Sequence, residues 1–203
     1  DIPLFYDPVP LRTKLVGVAT SRKESAQKAA VQGNFEFGTD DWRELIERDD
    51  IHIINICSPN SQHTEQIEAA MKAGKHIYCD KPLVVGDEAI SKIEKALPDY
   101  QGKGQVTLQY RFYPPTLRAK QLIDEGFLGD IISFRAVYLH SGSVDPTKKM
   151  GWKQLKSEGG GVLQDLGSHI LDLMDHLIGP VAEISAKTKI IYPQRPDAFG
   201  NMT

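Results

Sequence analysis

Short β-branched runs, each followed by a stretch of helical period, constrain the fold of this chain more than any other feature. Residues 14–19 (Lys-Leu-Val-Gly-Val-Ala), 51–57 (Ile-His-Ile-Ile-Asn-Ile-Cys) and 75–79 (Lys-His-Ile-Tyr-Cys) read as strands. Residues 24–32, 61–73 and 87–97 read as helices, stopped by Gly33, Gly74 and Pro98. Ile67, Ala70 and Met71 share one helical face. Asp40 or Asp41 is placed to cap a short helix running to Arg48, with Leu45 and Ile46 facing inward. Residues 105–110 read as a further strand. This alternation predicts βαβ units and a parallel sheet. Near-continuous apolar strands predict a sheet covered on both faces. Right-handed crossovers bring the strand C-terminal ends to one edge, where open α/β sheets bind ligands. Asn60, Lys81 and Arg111 each follow such an end.

Past Arg111 the pattern changes. Residues 116–125 read as a helix ended by Gly126, and 131–139 alternate like a strand of an antiparallel sheet. A helix is expected from about 161 to 178, stopped by Gly179-Pro180, and then a strand over 181–191. The expectation is an α/β chain in two parts: a parallel-sheet domain over residues 1–112 and an α+β domain with an antiparallel sheet over 113–203. The chain opens without a methionine and closes on no evident element, so a piece of a longer protein is expected.

Composition narrows the function. The formal net charge of −3 offers no electrostatic case for nucleic acid or an anionic membrane. No apolar run approaches the roughly 20 residues that span a bilayer, and no basic start leads into an apolar stretch. A cytoplasmic protein is expected. Cys57 and Cys79 each end a strand-like run and read as reduced thiols, with a disulfide or two-cysteine metal site as the alternative. The Asn201-Met202-Thr203 triplet fits a glycosylation pattern by chance.

Three segments carry candidate chemistry. Lys81 lies between an acid and a proline in Ile77-Tyr78-Cys79-Asp80-Lys81-Pro82. Gly159, Gly160 and Gly161 precede a helix that sets Asp165 and His169 one turn apart, with Asp172 and His176 continuing the stripe. A lysine, a carboxylate and an imidazole form a proton-handling set suited to interconverting an alcohol and a ketone. The stripe reads equally as a solvated polar face. A third reading is a zinc or iron site serving a hydrolase or isomerase through Asp165, His169 and His176. The glycines alone mean a loop whose backbone passes close to a ligand or another segment. Ser58-Pro59-Asn60 with His63 closes the second strand, and Asn60 or Ser61 can cap the helix that follows. Thr20-Ser21-Arg22-Lys23 is either an ordinary polar turn or, with no acid where dinucleotide folds bind the ribose, a receptor for a 2′-phosphate.

In this order the segments resemble the Gfo/Idh/MocA family of nicotinamide-dependent sugar oxidoreductases. Residues 73–82 are similar to the family's Ala-Gly-Lys-His-x-x-x-Glu-Lys-Pro signature, with Asp80 where glutamate is usual. The glycine run with Asp165 and His169 resembles its Asp-x-x-x-His segment, and Ser58-Pro59-Asn60 with His63 its turn beside the nicotinamide ring. The resemblance runs from about residue 14 to 191. It implies a Rossmann-type sheet, incomplete at its N-terminus, followed by part of the substrate domain. It implies hydride transfer between NAD or NADP and a hydroxyl-bearing carbon of a sugar or polyol. His169 is then the general base, Lys81 the group that stabilises the oxygen, and Asp165 the orienting acid. Ser21, Arg22, Ser58, Pro59, Asn60, His63, Asp80 and Lys81 are the expected cofactor residues. Arg111 and Trp152, with Asp165, His169 and more weakly Tyr110, are expected to line the substrate pocket. Arg22 favours NADP. A homo-oligomer, no metal and a cis Lys81–Pro82 bond are also expected. A non-catalytic sugar or nucleotide sensor on the same fold is the alternative. No Gly-x-Gly-x-x-Gly occurs. Either the first strand and phosphate loop precede Asp1, or the chain does not bind a dinucleotide in the usual way.

Overall fold

A computed structural model describes residues 13–202. Their contacts gather into two units. One takes in residues up to Ser58, Gln62–Asp80 and Gly86–Val106; the other takes in Pro59–Ser61, Lys81–Val85 and the residues from Thr107 onward.

In the first unit β1 (Gly17–Ala19) pairs in parallel with β2 (Phe37–Thr39), and α1 (Lys23–Gly33) connects them. The helix ends one residue later than expected. Asn34, not Gly33, adopts the left-handed conformation (φ 56°), and its N–H donates to the carbonyls of Ala30 and Val31. Asparagine is among the few side chains that tolerate this region. The short α2 (Arg43–Glu47) begins where the Asp41 carboxylate accepts the Arg43 backbone N–H at 3.0 Å, and it buries Ile46.

A second parallel sheet runs β3 (Ile53–Ile56), β4 (His76–Cys79), β5 (Gly104–Val106), in that order. α3 (Asn60–Lys72) and α4 (Asp87–Ala96) are its crossovers. The register sets Ile56 opposite Cys79 and Cys79 opposite Val106, so the strands finish together at one edge. Ile54, Ile56, Ile77 and Cys79 pack with Ile67, Ala70 and Met71 of α3 and Ile93 of α4 as the buried core. The expected sheet therefore appears in two parts, with no ladder joining β1–β2 to β3–β5 among the described residues. Nor is it covered on both faces: burial alternates along β3 and β4, and Ile53 stays 59% exposed. One face buries the core side chains, and the other face shows its alternate positions to solvent.

In the second unit α5 (Pro114–Asp124) starts on two prolines, which the first turn accepts because its N–H groups have no helical partner. It packs on α6 (Ser168–Ile178). A π-helical segment, Leu163–Gly167, leads into α6. The antiparallel strands expected over 131–139 and 181–191 do not form among the described residues; one isolated antiparallel bridge joins Pro196 to Met202. The apolar alternation is present, but Ile132 is 97% and Leu139 87% exposed. A strand needs a neighbouring edge for its N–H and C=O groups, and neither segment has one here. No helix among the described residues is long and apolar enough to cross a membrane.

Candidate active site

The site is built within the second unit, around one carboxylate. β4 delivers Lys81 just past its C-terminal end, and the Lys81–Pro82 peptide is cis, as the resemblance implied. The Lys81 ammonium donates to Asp165 Oδ1 at 2.9 Å and also to the Asp165 backbone carbonyl. The lysine side chain is 11% exposed and the carboxylate 32%, so the pair is largely shielded. A second ammonium, that of Lys153, donates to the same Oδ1 at 3.2 Å. Burial pushes the Asp165 carboxyl up, but the hydrogen bonds and charges of Lys81 and Lys153 outweigh it and hold the group below the usual carboxylate range. Because the folded value is depressed, the stability it contributes is present above the unfolded value and lost as pH falls through the folded one.

Asp165 and His169 do not lie on one regular α-helix, as their spacing had suggested. Asp165 sits in the π-helical segment, and His169 lies in the first turn of α6. Such a segment widens the turn and re-aims side chains, a device common at functional sites. His169 is 4% exposed. Its ring stacks on that of Tyr110, with centroids 4.4 Å apart and planes 27° from parallel. Tyr110 is anchored at its far end by a 2.7 Å hydroxyl–hydroxyl bond to Tyr138. That bond, followed by burial, pushes the Tyr110 phenol up to about 12. The ring is therefore a neutral platform for the imidazole across the physiological range.

The glycine run brings chain segments together. Gly159 has φ 69°, and a Cβ there would meet Val85 Cγ2 at 2.6 Å and Asn60 Cβ at 3.0 Å. Its carbonyl accepts the Asn60 side-chain amide at 2.8 Å. Asn60 is buried at the start of α3 with its amide turned to this loop, so what it offers a cofactor is the helix N-terminus. Trp152 is half exposed, with the Lys153 ammonium 5.6 Å from its ring centre. Arg111 is committed elsewhere. Its Nε donates to both Asp172 carboxylate oxygens at 2.8 and 2.9 Å, its terminal nitrogen also bonds Asp172, and Asp175 lies 3.8 Å away. Those contacts clamp the segment before α5 to α6. They draw on Nε and one terminal nitrogen of a guanidinium that carries five N–H donors.

In the first unit, Ser58 Oγ donates to Gln66 at 2.7 Å, and His63 bonds the Ser58 carbonyl through Nε2 at 3.0 Å. A carbonyl only accepts, so Nε2 carries the proton. His63 Nδ1 then faces the buried Cys79 thiol at 3.6 Å. Burial, with the Asp80 charge second, pushes that thiol up to about 12. Both cysteines are free. Asp80 is exposed at the strand end. Past β1, the Arg22 carbonyl accepts from Thr20 Oγ1 and Ser25 Oγ at 2.9 and 2.8 Å, leaving the Ser21 and Arg22 side chains exposed. The exposed hydroxyl and guanidinium side chains after β1 are donors of the kind that the ribose and phosphates of a dinucleotide accept. Among the described residues no group of three or more His, Cys, Asp or Glu side chains is placed to hold a metal ion.

Lys153 and Tyr138 belong to this arrangement and were not singled out from the sequence. Lys153 stands beside Trp152 in a single 3-10 turn, Trp152–Gln154, too short for any periodicity to mark it. Tyr138 lies in a segment read as a strand.

Known proteins are similar to this chain along both of its parts. The family described as "Oxidoreductase family, NAD-binding Rossmann fold" matches residues 5–108, and the "GFO/IDH/MocA C-terminal domain" matches residues 116–202. Levoglucosan dehydrogenase from Pseudarthrobacter phenanthrenivorans is 37% identical over 99% of this chain and 53% of its own length. D-xylose dehydrogenase from Paenarthrobacter nicotinovorans is 28% identical over 88% of this chain and 46% of its own. The solved structure of levoglucosan dehydrogenase in complex with NADH and L-sorbose superposes with a TM-score of 0.93 at 35% identity, over all of this chain and 55% of that one. The chain thus spans about half the length of the relatives it matches. Parallel sheets with helical crossovers, a lysine past a strand end on the aspartate of an Asp-x-x-x-His segment, and two consecutive domain matches together place this chain in the Gfo/Idh/MocA oxidoreductase family.

Proposed function

We propose that the protein is an NAD(P)-dependent dehydrogenase or reductase acting on a hydroxyl-bearing carbon of a sugar or polyol. The observation that carries this reading is the shielded Lys81–Asp165 pair, with the buried His169 four residues on. In it His169 takes the hydroxyl proton as general base. Lys81 donates a hydrogen bond to the same oxygen and stabilises its growing negative charge. Asp165 orients the Lys81 ammonium through the bonds described above. The nicotinamide, when bound, supplies the hydride acceptor or donor. Ser21, Arg22, Ser58, Pro59, Asn60, His63, Asp80 and Lys81 hold it, His63 by fixing the Ser58 carbonyl and Asn60 through the start of α3. Trp152 offers a flat face to the sugar. Arg111 clamps α6 through Asp172 and turns its other terminal nitrogen to the substrate.

Residues 1–112 serve as the dinucleotide-binding domain and 113–203 as the substrate and oligomerisation domain of a cytoplasmic homo-oligomer. The named substrates of the relatives support the sugar class. The exposed Arg22, with no acid beside it, supports NADP. The purified protein is expected to form reduced cofactor from at least one member of a panel of anhydrosugars, aldoses and inositols. No turnover across the panel with either cofactor would sink the reading. Arg22→Ala should weaken NADP by about 10-fold while changing NAD little, the size of one charge-assisted hydrogen bond. Equal losses for both would show that Arg22 does not read the 2′-phosphate.

A further inference from the structure

We propose that Lys153 is a positioning residue of this site, keeping Asp165 paired and ionised while the Lys81 ammonium turns to the substrate oxygen. The inference rests on the oxidoreductase reading above. Two ammonium groups share one carboxylate oxygen, Lys81 at 2.9 Å and Lys153 at 3.2 Å. One ammonium balances the charge of a carboxylate, so the second is in excess of simple pairing. The Lys81 ammonium has three N–H donors, and two of them already go to Asp165, to Oδ1 and to the backbone carbonyl. A substrate oxygen approached by Lys81 pulls the ammonium against these two bonds. Drawing Lys81 away from a half-shielded carboxylate that had no other cation would leave a poorly paired charge, which is costly. With Lys153 in place that cost is removed, and Lys81 is free to follow the oxygen.

The backbone holds Lys153 at this distance. The Gly161 N–H donates to the Lys153 carbonyl at 2.8 Å, and the Gly161 carbonyl accepts the Asp165 N–H at 2.9 Å. A single glycine therefore links the two residues through consecutive hydrogen bonds. The contact is close enough that a Cβ on Gly160 would overlap the Lys153 carbonyl and meet the Trp152 carbonyl oxygen at 2.7 Å. The absence of a side chain at Gly160 is thus explained by the backbone that passes beside it. The Trp152 ring, on the other side of the ammonium, adds a cation–π contact.

The test compares the parent protein with Lys153→Met and Lys153→Arg, by steady-state kinetics and by NMR titration of the Asp165 carboxyl in cofactor-free protein. Lys153→Met should lower kcat by about 10-fold with KM within about twofold, the signature of an interaction needed beyond binding. Lys153→Arg keeps the charge and should stay within about threefold of the parent. The Asp165 titration should move up in the Met variant and not in the Arg variant, because the charge favouring the carboxylate is gone. The titration reads the charge coupling, and the fall in kcat at constant KM with its rescue by arginine reads the positioning role. If Lys153→Met does not fold, Lys153→Gln carries the same expectations. Parent-like kcat with an unmoved titration overturns the proposal, as does a rise in KM matching the fall in kcat/KM at constant kcat. A parent without NAD(P)-linked turnover whose Met variant still shifts the titration overturns the oxidoreductase reading and upholds the Lys153–Asp165 coupling.

Discussion

His169→Ala and Lys81→Ala are each expected to lower kcat by about 100-fold or more, the usual contribution of a positioned acid or base. His169 is buried against Tyr110, so its loss removes an imidazole and leaves the surrounding helix start in place. Lys81→Ala leaves Asp165 still paired with Lys153, so the variant should fold. Cofactor affinity, read by nicotinamide fluorescence or calorimetry, should change little. Near-normal turnover in either variant would remove that residue from the chemistry. The aspartate is a different case. Asp165→Asn keeps the shape but gives Lys81 and Lys153 no negative partner, so both KM and kcat should respond.

Asp172→Ala should destabilise the protein by about 3 kcal/mol, because it strands the Arg111 guanidinium in a partly buried position. The figure lies at the low end for a broken buried pair, since Arg111 is a third exposed while Asp172 is nearly covered. For a protein of this size the melting midpoint should fall by roughly 6–12 °C. Denaturant unfolding gives the check. An unchanged midpoint would mean that Arg111 does not clamp α6.

What could be read from the residues follows physical lines. Most strand and helix positions of the first unit were legible because period-2 and period-3.6 patterns are local, but β2 (Phe37–Thr39), three residues with two small side chains, was not read as a strand. The coverage of the sheet was not legible: Ile53 is as apolar as Ile54, yet one is exposed and the other buried, and only packing decides that. Alternation over 131–139 announced a strand, but a ladder depends on a neighbour that no local pattern reveals. The π-helical turn at Asp165 likewise leaves no periodic trace. Lys81 and Asp165 are 84 positions apart, so no spacing argument could pair them. Each was found because its short motif resembled a known family. Lys153, in a three-residue 3-10 turn, had neither periodicity nor motif to mark it.

The buried Cys79–His63 contact has a consequence for handling and for kinetics. Cys57 is open to solvent while Cys79 is sealed, and a thiol pushed up to about 12 is almost entirely unreactive at neutral pH. An alkylating reagent therefore meets one thiol at once and the other only when β4 separates from its neighbours. When reclosing outpaces alkylation, the slow labelling rate equals the reagent's rate with an open thiol multiplied by the open fraction. The second equivalent of label then reports the opening free energy of the central sheet, with no probe introduced.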